Sequence, residues 1–209
     1  MTLGERALVT LSAAIASNDA PARKNAVAEA ARNAPEAAEE VILQSYLFLG
    51  YPAALRMMGE WRSRTGRMAP EHATDDMEVW AERGERVCAT IYGGQYERLR
   101  RNIASLHPDV ERWMVTEGYG KVLGRPGLSL RVRELCIIVL LAGQSASAQL
   151  YSHLRGARNA GATRSDVEET LEIAEAFLSA ERLNEARAIW GAVLAREDEA
   201  GGKKETSCS

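Results

Sequence analysis

The chain has 209 residues, 46% of them apolar and 26% charged, and a formal net charge of −3. That length supports one sizeable core or two small ones, and the slight acidity leaves no basic footprint of the size that binding to nucleic acid or an anionic membrane demands. No apolar run approaches the ~18 residues of a membrane span, and the charged opening MTLGERALVTL does not read as a secretory signal. The scattered Cys88, Cys136 and Cys208 form neither a disulfide framework nor a paired zinc motif, so a reducing cytoplasm is the expected setting.

In chain order the signals are those of helices. Apolar residues recur three and four apart in ALVTLSAAIA and EEVILQSYLFL, with Pro21, Pro35 and Pro52 at positions where a first-turn proline is tolerated. Gly50 marks an expected helix end. SRTGRMAPEHAT, Ser63 to Thr74, is polar and reads as a linker or exposed loop holding His72. DDMEVWAERGERVCATIY restores the helical period, and His107 precedes Pro108 in a turn. EGYGKVLGRPGLS, Glu117 to Ser129, carries four glycines and a proline but also Tyr119, Val122, Leu123 and Leu128, which predicts an ordered loop packed on the body.

Ser129 can cap the helix that begins RVRELCIIVLLAG, with Gly143 its expected left-handed end, and Gly161 ends the next helix. Thr163 and Asp166 have capping-box spacing ahead of DVEETLEIAEAFL. Ten or eleven helices and no strand are expected, an all-α chain.

The helical rhythm also repeats. Laying Glu5 on Glu134 brings Leu11 onto Leu140, Ile42 onto Leu171, Phe48 onto Phe177 and Trp61 onto Trp190. Chance alignment of amphipathic helices is the competing explanation. The expected division is an N-terminal helical half-repeat at 1–62, connecting helices and loop at 63–128, a C-terminal unit at 129–199 and a disordered tail at 200–209.

Signatures of phosphate loops, nucleophile elbows, zinc helices and calcium loops are absent, and three histidines spread over loops and one helix make a metal site unexpected. The chemistry gathers between Tyr119 and Thr170. There, GYGKVLGRPGLSLRVRELCIIVLLAG followed by QLYSHLRGARNAGATRSDVEETL resembles the carboxymuconolactone decarboxylase family, which shares its all-helical fold with the alkylhydroperoxidase D proteins. The matching parts are the Arg125-Pro126-Gly127-Leu128 turn, Arg133-Glu134-Leu135, His153 to Ala157, and Asn159 to Thr163 leading into an acidic helix. The resemblance implies a two-unit member, an alkylhydroperoxidase D-like helical bundle with two pseudo-repeated units. It also implies a homo-oligomer with its pocket near the subunit boundary, a trimer or alternatively a hexamer.

The same resemblance divides two chemistries. The hydroperoxidase branch needs a Cys-x-x-Cys pair, and here Ala146 and Gln149 stand at those positions, so peroxide chemistry lacks its thiolate. Cys136 reads as an inert buried thiol. The decarboxylase branch often has a glutamate where this chain has Gln149, which orients a substrate but cannot act as a base.

In that branch the departing carboxylate sits next to an unsaturated lactone that accepts its electron pair, so no cofactor is required. His153 is the candidate proton donor and acceptor, since imidazole titrates near pH ~6.5. Glu134 is expected to orient it, and Gln149 to donate to the ring oxygen or carbonyl. Arg133 and Arg155 are candidate clamps for a remaining carboxylate, with room for only one of them to reach. Tyr119 is a candidate substrate contact, with packing as its competing role. The partner implied is a small carboxylated lactone or enone. A catalytically silent binding protein is the alternative.

Overall fold

The computed structural model describes residues 1–17, 19–71 and 76–205. Among them there is no strand and there are ten α-helices: α1 Leu3–Ala16, α2 Ala20–Asn33, α3 Pro35–Thr65, α4 Met77–Tyr92, α5 Tyr96–Leu106, α6 Pro108–Trp113, α7 Leu130–Ala142, α8 Ser147–Asn159, α9 Arg164–Ala174 and α10 Ala180–Glu205. None is long and apolar enough to cross a membrane.

Local chemistry explains most boundaries. Thr2 and Glu5 close a capping box on α1, Asp19 caps α2 ahead of Pro21, and Ser129 caps α7 by accepting from the amide of Val132. Thr163 and Asp166 form the box expected on α9. Gly50, at φ 76°, breaks the axis of α3, which resumes with Pro52 in the new first turn. His107 caps α6, its Nδ1 accepting from the Asp109 amide at 3.1 Å. His72 lies outside the described residues.

Three expectations are corrected. Gly143 follows α7 in the right-handed region, at φ −63°, and the positive φ of this corner falls on Ser145 at 53°. The glycine-rich stretch is not a loop for its first half: Met114–Leu123 is a π-helix continuing α6. The cause is contact. A Cβ at Gly120 would stand 1.9 Å from the Trp80 carbonyl oxygen and one at Gly84 2.1 Å from that of Val115, so α4 and the π-helix meet backbone to backbone. Finally, α10 continues to Glu205, into the segment expected to lack structure; Cys208 lies outside the described residues.

Helix α7 is the central rod, buried from Val132 to Ala142, and it packs on α1, α3, α8 and α9. Helix α1 meets α2 and α3, and crosses to α9, just as α7 meets α8 and α9 and crosses to α3. Of the connecting segment, α4 packs on α8, the π-helix packs on α4, α6 and α3, and α5 packs on α4 and α6, and this sets the walls of the site.

Candidate active site

The centre of the site is the α7–α8 hairpin. Glu134 on α7 is fully buried, His153 on α8 is 7% exposed, and Nδ1 of His153 lies 2.9 Å from Oε2 of Glu134. The helices approach this closely because position 156 is glycine. A Cβ there would stand 2.8 Å from Glu134 Oε2 and 2.7 Å from Ile91 Cγ2. A carboxylate only accepts, so Nδ1 carries the proton of this bond and Nε2 is the nitrogen left for other work. The edge of Phe48 packs on the imidazole at 5.8 Å between centroids. Glu134 Oε1 is buried without a hydrogen bond among the described residues.

His153 faces a cavity of about 560 Å³, a size that suits a small molecule. Its walls are largely apolar, from Leu47 and Phe48 of α3, Leu99 and Ile103 of α5, Val110 and Trp113 of α6, and Met114 and Leu123 of the π-helix. Polar groups come from Tyr92, Asn102, Glu117, Tyr119, Gln149 and Ser152. The hydroxyls of Tyr92 and Tyr119 are 2.7 Å apart, and burial pushes both phenols well above their usual range, so both stay neutral donors. Each carries one proton, and their mutual bond uses one. The other is free for an acceptor in the cavity.

The candidates therefore separate. Glu134 and His153 are in contact, Tyr119 lines the cavity and is 3% exposed, and Gln149 is an exposed residue of its rim. Arg133 is not a substrate clamp. Its side chain is completely buried on the other side of α7, where Nη2 donates to Glu40 Oε2 at 2.8 Å and to the Arg125 carbonyl at 3.0 Å. Arg125 binds the same carboxylate, so the Arg-Pro-Gly-Leu turn is tied to α3. Arg155 does not line the cavity either; it belongs to a neighbouring groove.

Sequence reasoning passed over Phe48, Tyr92, Asn102 and Ile103, which arrive from helices distant in sequence. Trp113 lines the cavity while 51% exposed. Among the described residues no cysteine lines the cavity. Cys88 and Cys136 are buried, burial raising the first thiol to about 12 and the second further. Among the described residues no three His, Cys, Asp or Glu side chains gather as a metal site.

Comparison with known proteins bears on the same region. The model of the carboxymuconolactone decarboxylase family matches residues 108–192, a span that contains Tyr119, Glu134, Gln149 and His153. This segment belongs to the carboxymuconolactone decarboxylase family. Over 140 residues the chain is 29% identical to peroxisomal protein 2 of Schizosaccharomyces pombe, covering 65% of each chain. Over 100 residues it is 34% identical to the nitrosuccinic acid decarboxylase npaB of Metarhizium robertsii, covering 47% of this chain and 66% of that one. The chain thus spans just under two thirds of the length of each of these relatives.

Proposed function

We propose that the protein is a decarboxylase of small carboxylic acids whose departing carboxylate adjoins a conjugated electron acceptor, a carboxylated lactone or enone in the first instance. The observation that carries this reading is the buried His153–Glu134 pair at the wall of an otherwise apolar cavity. The family name and the name of the Metarhizium relative support it, since a lactone carbonyl and a nitro group do the same chemical work. When the C–C bond to the carboxylate breaks, CO₂ leaves and the electron pair passes into the acceptor as a dienolate or a nitronate. No external cofactor is needed for that electron sink.

Each element of the site has a part in such a step. The apolar walls desolvate the carboxylate, which favours its loss as neutral CO₂. The proton left over from the Tyr92–Tyr119 pair, or the amide of Gln149, hydrogen-bonds the developing oxyanion. Protonated at Nε2, His153 delivers its proton to carbon, and Glu134 holds the ring and balances its positive charge. Thiol peroxidase chemistry is not proposed, because no cysteine among the described residues lines the cavity.

The same reading extends to assembly and location. A homotrimer is the proposed assembly, supported by the exposed Val110 and Trp113 of the cavity wall, and light scattering should then give about three times the 22.8 kDa chain mass. A monomer would sink that assembly. For location, the name of the fission-yeast relative makes the peroxisome the compartment to test against the expected cytoplasm.

The test of function is CO₂ release from a carboxylated muconolactone and from nitrosuccinate by the wild type and by His153→Gln. Turnover of at least one by the wild type, reduced on the order of a hundredfold or more in the folded variant, is the expected result. Equal rates would remove His153 from the chemistry, and saturable binding without turnover would leave a binding protein.

A further inference from the structure

A second groove, of about 340 Å³, opens beside the cavity and shares Tyr92, Leu99, Asn102 and Ser152 with it. Three of the residues that line it are arginines, Arg98 of α5, Arg155 of α8 and Arg196 of α10, and none is acidic. In a chain of net charge −3 this is a local reversal of sign. Arg196 donates to the hydroxyl of Tyr151 at 3.1 Å. Among the described residues, no carboxylate engages Arg98 or Arg155. The same three arginines also line the adjoining groove, where Glu197 is held by Arg158 at 2.9 Å and Glu199 attracts Arg196.

That leaves Arg98 and Arg155 without a carboxylate among the described residues; guanidiniums sharing one concavity repel one another unless an anion joins them, and their planar forks match carboxylate and phosphate oxygens. Arg155 sits two residues beyond His153, so a helix that turns about 100° per residue aims it away from the cavity and into this groove. We infer that the groove is an anion subsite. The acid that reacts beside His153 carries an arm that leaves the cavity past Tyr92 and Ser152 and ends in a second anionic group, carboxylate or phosphate, held by Arg98, Arg155 and Arg196. This rests on the cavity being the substrate site, as proposed above, and it replaces Arg133 as the source of positive charge.

Calorimetric titration of the full chain at low ionic strength with hexanoate, adipate and 5-phosphonopentanoate tests it. These probes share a chain length and differ in the far group. Adipate or the phosphonate should bind at least about tenfold more tightly than hexanoate, and the tighter of the two identifies carboxylate or phosphate as the better fit. The preference should vanish in the double variant Arg98→Gln/Arg155→Gln, whose side chains are at or near the surface, and should persist in His153→Gln. Persistence in His153→Gln, even if no substrate of the wild type is ever turned over, leaves the subsite standing on its own. Equal binding of all three probes, absence of binding, or a preference that survives in the double variant would overturn the inference.

Discussion

Replacing Gly156 by alanine adds one methyl group to α8 where it faces Glu134 of α7 and Ile91 of α4. From the structure, that Cβ would lie 2.8 Å from Glu134 Oε2 and 2.7 Å from Ile91 Cγ2, both inside van der Waals contact. Ile91 is buried and Glu134 is fully buried, so neither moves freely. Overpacking of this kind costs about 1–3 kcal/mol, while alanine gains about 1 kcal/mol over glycine inside a helix.

Gly191, in α10, provides the reference, because a Cβ there meets nothing within 4 Å and Ala should simply stabilise the helix. Both substitutions share the helix term, so their difference isolates the contact. In urea titrations Gly156→Ala should be less stable than Gly191→Ala by about 1–3 kcal/mol, with unchanged slopes. Turnover should fall in the first variant alone, towards the hundredfold that a displacement near 1 Å costs an aligned group. Equal midpoints with equal turnover would refute the claim that a missing side chain sets the His153–Glu134 bond.

Further consequences can be checked on the same protein. Gly120→Ala would force a Cβ against the Trp80 carbonyl at 1.9 Å, so the backbone-to-backbone seat of the π-helix should open and cost about 3 kcal/mol or more by urea titration. Glu40→Gln removes the charge facing the fully buried Arg133, and should cost about 3 kcal/mol, roughly 6–12 °C of melting temperature. Burial raises Cys88 to about 12, and raises Tyr92, Tyr119 and Cys136 as well. The fold therefore favours their neutral forms. The stability they contribute is whole below their unfolded values of about 8.5–10 and is lost as pH rises towards the folded ones. Urea midpoints should fall from about pH 9 upward, and less steeply in Cys88→Ala.

How far the sequence reached depends on how local each signal was. Ser129 and Thr163 act within one turn of themselves, so their caps could be read without the fold. Glu134 and His153 are 19 residues apart on consecutive helices, and the family resemblance alone names both. Arg133 could not be placed the same way. Helix α7 is buried on every side, so its sequence has no polar face from which to tell which neighbour an arginine meets.

The π-helix was hidden for another reason. Its glycines resemble those of a loop, and only the approach of α4 through Gly84 reveals that Gly120 is there for contact. The cavity wall lay beyond reach because Phe48, Tyr92 and Asn102 come from three helices outside the span 108–192 that the family model matches.

The central claim is that Glu134 fixes one tautomer of His153 and leaves Nε2 facing a ligand cavity. Nitrogen-15 NMR of the imidazoles measures this directly, since the chain has three histidines and His153→Gln removes one set of signals. The neutral ring of His153 should carry its proton on Nδ1, its Nε2 signal should move when a cavity acid is titrated in, and Glu134→Gln should abolish the tautomer preference. A wild-type ring protonated on Nε2, or an Nε2 signal that ignores a bound acid, would contradict it.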